Sequence, residues 1–305
     1  MAPIGFIGIG IMGEGMASRL LSQGVAGSPD TPLVVWNRTS AKCDDLKERF
    51  PDKYIEVKGS AREVVETCGI TFSILSTPEA SQAVFEGEDG TLAGVSDGKF
   101  IIDCATLAES DMKRMEGQVN EKGGQFLEAP VSGSKGPAHG GSLIFLCAGS
   151  ESIYKDTVVQ SSLDAMGKAT HFFGKEVGHG TRAKLVVNSL MGTMMAAFGE
   201  SLSLAQSVGL DGSKMLEVIG QGAVQSPMYA LKGPKMLKGD HSPNFPLQHA
   251  HKDMKLAVDM AKEAGVEYAV TEGAEELFRE AREDADLKVA EEDFSAVFKS
   301  ICKKS

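Results

Sequence analysis

The chain has 305 residues, a length that predicts two domains with sizeable hydrophobic cores. Hydrophobic residues make up 42% and charged residues 24%, a balance that is typical of globular proteins and excludes disordered and fibrous classes. The net charge of −11 disfavours nucleic acid as a partner, because an acidic surface repels a phosphate backbone.

The cysteines and the apolar runs indicate which cellular compartment the protein occupies. The five cysteines are odd in number and widely spaced, so they indicate neither a disulfide framework nor a zinc site. The longest apolar runs, such as 143–148, are far shorter than the roughly 20 residues that span a bilayer. A structured segment begins by about Pro3, which leaves no room for a signal or transit peptide. We therefore expect a cytoplasmic protein without a membrane segment or a bound metal.

Short apolar runs alternate with helical stretches over roughly the first 175 residues. This alternation predicts a parallel α/β sheet that carries helices on its faces. The expected strands cover residues 4–8, 33–36, 70–75, 100–103, 126–128 and 143–147.

The strand signals stop after Gly178-His179-Gly180, and a single helix without proline is expected from Thr181 to about Val208. Its length indicates a link between two domains. The rest of the chain predicts an all-α domain, with its clearest helices over 250–264 and 271–281. We expect an α/β domain over 1–178 and an all-α domain over 179–305 that begins with the long helix.

A glycine-rich turn follows the first expected strand, in the pattern G-x-G-x-x-G. An apolar strand leads into it and a helix over 14–21 leads out, so the glycines stand where a pyrophosphate can approach a helix N-terminus. The alternative is a plain turn between a strand and a helix. The predicted cofactor-binding residues of the loop are Gly8, Gly10, Ile11, Met12 and Gly13.

The second strand ends in Asn37, Arg38 and Thr39, about where many NAD-binding chains carry an acid for the ribose 2′-hydroxyl. The acid is missing here. A guanidinium and two polar side chains can instead bind a 2′-phosphate, so the tripeptide favours NADP(H). In the alternative interpretation Thr39 caps the next helix and Arg38 is solvated.

Two segments carry candidate groups for a substrate. The glycine-dense stretch 128–136 could hold a carboxylate through its backbone N–H groups and the hydroxyl of Ser132, although a surface loop explains it equally well. Lys184 and Asn188 share one face of the long helix, where they could bind and protonate a carbonyl oxygen as a hydride arrives. By itself such a pair is more often solvated surface.

Lys252 and Asp253 open a later helical run. Adjacent helical positions point about 100° apart, so one side chain could meet a cofactor while the other faces the side of Lys184. Taken alone, the pair is ordinary charged surface.

These segments, in this order, resemble the β-hydroxyacid dehydrogenase family over nearly the whole chain, and within it the plant-type glyoxylate/succinic semialdehyde reductases. The resemblance implies a Rossmann-type N-terminal domain, a long interdomain helix, an all-α C-terminal domain and an active site in the cleft between the domains. The segments that carry it are Gly8 to Gly13, Trp36 to Thr39, Asp103 to Thr106, Pro130 to Ser134, Lys184 to Asn188, Phe245 to Leu247 and His251 to Met254.

The resemblance also implies roles for single residues. The matching positions are Lys184 and Asn188 for catalysis, Ser132, Gly133, Asn188, Phe245 and Asp253 for the substrate, and Thr106 and Lys252 for the cofactor. Two positions depart from the family pattern. Ala105 replaces a serine, which puts one hydrogen bond to the cofactor in doubt, and Ser189 replaces a second asparagine.

The expected function is NADPH-dependent reduction of small aldehyde acids, glyoxylate to glycolate or succinic semialdehyde to 4-hydroxybutyrate, with Lys184 as general acid. The expected partners are such an acid and further copies of the chain, in a homodimer or homotetramer. An NAD-dependent 3-hydroxyisobutyrate dehydrogenase is the alternative enzyme, disfavoured by Arg38 and its neighbours. A non-enzymatic chromatin-associated scaffold is the alternative of another class, and it is disfavoured because the chain retains Lys184.

Overall fold

The computed structural model describes residues 3–304 and divides the chain into two compact units. The first unit ends at Lys184 and the second begins at Leu185. The division falls inside a long helix that begins at His179.

The first unit is built on a mixed sheet with helices on both faces. Within the described residues its nine strands are β1 (Ile4–Ile7), β2 (Leu33–Trp36), β3 (Ile55–Val57), β4 (Ile70–Ser73), β5 (Phe100–Asp103), β6 (Gln125–Glu128), β7 (Val131–Ser132), β8 (Leu143–Gly149) and β9 (Gly167–Phe172). Its helices are α1 (Gly13–Ser22), α2 (Ala41–Arg49), α3 (Ala61–Thr67), α4 (Pro78–Glu86), α5 (Glu109–Glu121), α6 (Lys135–Gly140), α7 (Glu151–Lys155) and α8 (Thr157–Met166), with a 3-10 turn at Thr91–Gly94.

The strand order is β3-β2-β1-β4-β5-β6-β8-β7, with β9 beside β8. All pairs from β3 to β6 are parallel, as the sequence predicted. The sheet is not parallel throughout, however, because β8 runs antiparallel to both β6 and β7. Strands β3, β7 and β9 were not predicted, since two of them span three residues or fewer and β9 is only partly buried.

The parallel strands end at one edge of the sheet. Ile7 at the end of β1 pairs with both Trp36 and Ser73, and Asp103 pairs with both Ser73 and Glu128. Ligands of open α/β sheets bind beyond such carboxyl ends. The segments that follow β1, β2, β5 and β6 therefore emerge at the same edge of the sheet.

Alternating side chains on these strands build a core on each face. Phe6 of β1 packs with Met16 of α1 and Leu163 of α8, whereas the neighbouring Ile7 packs on the opposite face with Met112 of α5. This alternation follows from the period of two in a β-strand. The result is a three-layer α/β unit, which confirms the predicted Rossmann-type fold.

The second unit is helical. Its core lies between the long helix and the later helices, where Met195 and Phe198 pack with Met254 and Phe278. The helices are α9 (His179–Ser207), which begins in the first unit, α10 (Gly212–Gln221), α11 (Pro227–Leu237), α12 (Leu247–Glu263), α13 (Ala269–Glu283) and α14 (Val297–Lys304), with a 3-10 turn at Phe294–Ala296.

Helix α9 is long and apolar enough to cross a membrane by length and composition alone. A core helix passes the same test, and half of its most apolar window is buried inside the protein. We therefore interpret α9 as a structural helix.

Candidate active site

The glycine loop has the shape that a dinucleotide requires. A Cβ on Gly13 would collide with the carbonyl oxygen of Gly8, so α1 can begin this close to β1 only with glycine at that position. A Cβ on Gly10 would meet nothing within 4 Å, which leaves open space above the loop. Helix α1 starts at Gly13, and its free N–H groups favour a phosphate. The loop therefore fits the pyrophosphate of a nicotinamide cofactor.

Asn37 holds this loop in place. Its Oδ1 accepts a hydrogen bond from the backbone N–H of Ile9 at 3.0 Å, and its Nδ2 donates to the carbonyl oxygen of Thr39 at 2.9 Å. The side chain thus joins the turn after β1 to the turn after β2. The sequence suggested a contact to a 2′-phosphate but gave no indication of this bridging role.

Arg38 lies on the surface beside this bridge. Its side chain is exposed, and within residues 3–304 it forms no ion pair. In the alternative interpretation Thr39 caps the next helix and Arg38 is solvated; α2 begins at Ala41 with Ser40 rather than Thr39 at the N-cap position, whereas Arg38 is exposed as that alternative expects. The turn therefore presents a guanidinium to solvent at the end of β2.

Asp103 ends β5 as a buried carboxyl group. It accepts hydrogen bonds from Ser73 Oγ at 2.6 Å and from the N–H of Ala105 at 2.9 Å. Burial raises the pKa of Asp103 to about 6, against these two hydrogen bonds, which lower it. The bond to Ala105 shapes the turn that leads to Thr106, which is half-buried at the same sheet edge.

From the raised pKa of Asp103 we predict how the free energy of unfolding depends on pH. The folded state binds this proton more tightly than the unfolded chain, so Asp103 costs stability as the pH rises from about 4 to about 6, and the cost persists above pH 6. Asp103→Asn keeps both hydrogen bonds, because its amide can donate to Ser73, and it removes the titration. Its free energy of unfolding relative to wild type should rise by about 3 kcal/mol between pH 4 and 7. Urea unfolding across this range checks it, and parallel pH profiles would contradict it.

The Ser132 segment is more regular than the expected loop. Ser132 ends the short strand β7, and α6 begins three residues later. Helix α6 packs on α1, where a Cβ on Gly15 would lie 3.0 Å from that of Ala138 and Glu14 Oε2 lies 2.9 Å from His139 Nε2. The helices that follow the glycine loop and the Ser132 segment are therefore in contact.

Lys184 and Asn188 are both buried on α9. Each is 4% exposed, although α9 also presents exposed side chains such as Val187 and Leu190. Solvated surface, the common interpretation of a Lys/Asn pair at this spacing, therefore does not apply. Lysine is almost never so buried without a partner or a function.

A residue that the sequence did not single out anchors the start of α9. Glu128 at the end of β6 is fully buried, and its carboxylate accepts hydrogen bonds from the N–H groups of Gly178, Gly180 and Thr181. The only local signal was an acid directly before Ala129-Pro130. Its contacts lie too far along the chain for spacing to reveal.

In the second unit, Asn188 is held by Asp253. Asn188 Nδ2 donates to Asp253 Oδ2 at 2.6 Å, and the carboxylate can only accept, so the orientation of the amide is fixed. Lys252 Nζ lies 3.0 Å from Asp253 Oδ1, in an ion pair rather than a hydrogen bond. The Lys252 side chain therefore turns back to the carboxylate of its neighbour Asp253, and the two side chains do not diverge.

Phe245 lies in a segment that a buried ion pair secures. Lys232 Nζ contacts both carboxylate oxygens of Asp293 at 2.7 Å, and Asp293 Oδ2 also accepts from the N–H groups of Asn244 and Phe245. The Phe245 ring packs edge-on against Phe294 at 5.8 Å. Position 245 is therefore fixed from both its backbone and its side chain.

His251 has a defined protonation state. Arg282 can only donate, so His251 Nδ1 accepts its hydrogen bond at 3.1 Å and Nε2 donates to Glu275 at 2.8 Å. Burial and the nearby guanidinium lower the pKa of His251. Across residues 3–304, no group of three or more His, Cys, Asp or Glu side chains is placed to hold a metal ion.

Comparison with known proteins identifies two matching family models and a solved structure of the same fold. The sequence model of one family, the NAD-binding domain of 6-phosphogluconate dehydrogenase, matches residues 3–174. The sequence model of a second family, the NAD-binding region of NADP-dependent 3-hydroxyisobutyrate dehydrogenase, matches residues 178–301. A solved 3-hydroxyisobutyrate dehydrogenase from Salmonella typhimurium has the same fold, with a TM-score of 0.84 and 24% identity over 98% of this chain and 99% of that one.

Curated relatives extend the match to the whole chain. Glyoxylate/succinic semialdehyde reductase 2, chloroplastic, of Arabidopsis thaliana is 43% identical over 98% of this chain and 79% of its own length. Reductase 1 of that plant is 40% identical over 98% of both chains. The cytokine-like nuclear factor N-PAC of Danio rerio is 34% identical over 97% of this chain and 61% of its own. The chain therefore belongs to the β-hydroxyacid dehydrogenase family and is an NAD(P)-dependent oxidoreductase that acts on CH–OH groups.

Proposed function

We propose that this protein uses NADPH to reduce small aldehyde acids, with glyoxylate and succinic semialdehyde as substrates and Lys184 as the general acid. The observation that carries the proposal is the burial of Lys184 and Asn188 on one face of α9, each 4% exposed. An ammonium and an amide withdrawn from water are suited to a carbonyl oxygen that develops negative charge.

The residues assigned to the substrate have the following roles. Ser132 and the backbone at Gly133 bind the substrate carboxylate. Lys184 binds the aldehyde oxygen, stabilises the alkoxide that forms on it and gives it a proton. Asn188 donates a second hydrogen bond to the substrate, and Asp253 keeps its amide oriented.

We assign the cofactor contacts residue by residue. The glycine loop would hold the pyrophosphate, Arg38 and Thr39 would hold the 2′-phosphate, and Thr106 and Lys252 would contact the cofactor. When bound, the reduced nicotinamide supplies a hydride to the aldehyde carbon. Phe245 and Asp253 would shape or support the substrate site.

The choice of substrates rests on the names of the two plant relatives, which are glyoxylate/succinic semialdehyde reductases. The second family model is named for an NADP-dependent 3-hydroxyisobutyrate dehydrogenase, so oxidation of that hydroxy acid, with NADP⁺ rather than NAD⁺, is a competing function. A non-enzymatic scaffold would need no buried lysine at position 184.

A purified-protein panel tests the proposal. Glyoxylate, succinic semialdehyde, methylmalonate semialdehyde and tartronate semialdehyde are compared by kcat/KM with NADPH and NADH, and 3-hydroxyisobutyrate with each oxidised cofactor. Glyoxylate or succinic semialdehyde with NADPH should give the highest value. A higher value for 3-hydroxyisobutyrate with either oxidised cofactor would support a 3-hydroxyisobutyrate dehydrogenase, and no turnover with any pair would reject both functions.

Arg38 should set the choice between the two nicotinamides. Arg38→Ala removes a charge-assisted contact that only the 2′-phosphate can make, worth about 1.5–3 kcal/mol, so KM for NADPH should rise by roughly 10- to 100-fold. KM for NADH should change little. Steady-state kinetics with both cofactors check this, with Lys42→Ala on the exposed start of α2 as the control. Equal losses with NADPH and NADH would contradict the assignment.

We also propose a cytoplasmic homodimer or homotetramer. The second unit exposes many large apolar side chains, more than a solvated helical surface needs, and such surfaces mark protein interfaces. Those on α9 to α11 and the segments between them are Val186, Val187, Leu190, Leu204, Val208, Leu210, Val218, Val224 and Leu231.

A further inference from the structure

The end of β6 carries a charge in the middle of the sheet. Glu128 pairs with Asp103 of β5 on one side and with Ala148 of β8 on the other, and its side chain is fully buried. A carboxylate in such a place costs several kcal/mol unless its oxygens are well satisfied. Its partners therefore explain why it is there.

Four donors from the start of α9 satisfy it. Glu128 Oε1 accepts from the N–H groups of Gly178 at 2.6 Å and Gly180 at 2.8 Å, and Oε2 accepts from the N–H and the hydroxyl of Thr181 at 3.2 and 2.7 Å. Backbone N–H groups cannot accept, so both oxygens act as acceptors, as in an ionised carboxylate. Burial raises the pKa of Glu128 and these hydrogen bonds oppose the rise. A negative charge at a helix N-terminus is also favoured by the helix dipole.

The start of α9 has no freedom to slide. A Cβ on Gly180 would collide with the carbonyl oxygen of Leu146 in β8, so the helix backbone lies directly against the sheet at this point. Together with the four hydrogen bonds, this contact fixes both the rotation and the axial position of the first turn.

Lys184 follows Gly180 by four residues and Thr181 by three, so it lies on the same face one turn further along. At 1.5 Å per residue this is about 6 Å along the helix axis. In the other direction along the chain, Ser132 follows Glu128 by four residues. One carboxylate therefore ties the strand that leads to Ser132 to the helix that carries Lys184.

We propose that Glu128 is a positioning residue that sets the place of the Lys184 ammonium by holding the first turn of α9. This inference rests on the proposed role of Lys184. The role proposed for Glu128 requires no contact with the substrate or with the cofactor. A displacement of about 1 Å at a reacting group can cost 10²-fold in rate, so loss of the anchor should appear in kcat.

Glu128→Gln tests this directly. The amide keeps one acceptor oxygen but turns an NH2 group toward N–H donors, so the first turn must shift. We expect kcat with the best substrate of the panel to fall by about 10²-fold, while KM for the substrate and Kd for NADPH change by less than about threefold. Thr181→Val removes only the hydroxyl donor and should cost roughly 10-fold or less. Its smaller perturbation keeps the test open if Glu128→Gln does not fold.

Glu109→Gln is the matched control. Glu109 also binds the first turn of α9, but through the exposed side chain of Arg182 at 2.6 and 2.7 Å. Exposed ion pairs contribute little, so its kcat should match that of wild type. Equal losses in Glu109→Gln and Glu128→Gln would show a general effect on the helix and overturn the proposal.

A double-mutant cycle separates positioning from simple stability. If Glu128 acts through Lys184, adding Glu128→Gln to Lys184→Ala should leave the residual rate nearly unchanged. A full additional loss in the double variant would overturn the inference while leaving the function of Lys184 intact.

Chemical labelling of Lys184 tests the positioning role of Glu128 without relying on enzyme activity. The rate at which acetic anhydride labels Lys184, read by mass spectrometry, should change several-fold in Glu128→Gln, while that of the exposed Lys122 stays constant. An unchanged Lys184 rate would reject the positioning role. An altered rate in an enzyme that reduces no aldehyde acid would support it and reject the proposed function alone.

Discussion

Lys184→Ala should lower kcat for aldehyde-acid reduction by at least about 10²- to 10⁴-fold, the usual contribution of a general acid. Without the ammonium, the alkoxide forms with no cation beside it and no group to give it a proton. Kd for NADPH should stay close to the wild-type value, since Lys184 is assigned to the substrate. Helix α9 should persist, because alanine is the best helix former.

The measurement is steady-state kcat, together with NADPH fluorescence titration and circular dichroism of the same preparation. Lys184→Arg is the matched variant, because it keeps the charge but cannot readily release a proton, so it should recover little activity. A folded Lys184→Ala protein that binds NADPH and keeps near-normal kcat would contradict the assignment. The general acid would then have to be Asp253 or a bound water.

Lys232→Met should destabilise the second unit by about 3–5 kcal/mol. The side chains of Lys232 and Asp293 are 5% and 2% exposed, and Lys232 Nζ also lies 5.1 Å from the centre of the Phe294 ring. Removing only the ammonium leaves the carboxylate buried without a counter-charge, which costs far more than the pair itself contributes. Methionine fills most of the vacated volume, so the effect should be electrostatic rather than that of a cavity.

Lys235→Met is the control for this prediction. It lies on the same helix one turn later, and its pair with Asp240 is exposed, so its loss should cost less than about 1 kcal/mol. Urea unfolding followed by circular dichroism compares the two variants. Similar losses in both would mean that the buried pair has no special role.

The sequence singled out those parts of the candidate site that short spacing defines, and their roles stay predictions. The glycine loop spans six residues between a strand and a helix, and Lys184 and Asn188 are one helical turn apart, so both could be recognised without a structure. The Rossmann-type unit followed by a helical unit is confirmed, because the alternation of apolar strands and helices is also a local signal.

Contacts between distant parts of the chain could not be predicted in this way. Glu128 binds residues 50 to 53 positions away, Asn37 reaches Ile9 across 28 positions and Lys232 meets Asp293 across 61. In each case a polar side chain binds backbone N–H groups or an opposite charge, and only folding brings these partners near. Glu128 and Lys232 look in the sequence like ordinary surface charges, and Asn37 has a different role here from the one that the sequence suggested.

A single-turnover experiment tests the central claim most directly. The wild-type protein, loaded with a stoichiometric amount of NADPH, is mixed rapidly with excess glyoxylate, and the absorbance of the reduced nicotinamide is followed while the product is identified by mass spectrometry. The account predicts a full loss of the reduced-nicotinamide signal with one glycolate formed per NADPH, and a loss slower by at least about 10²-fold in Lys184→Ala. Persistence of the signal with glyoxylate, and then with succinic semialdehyde, would contradict it.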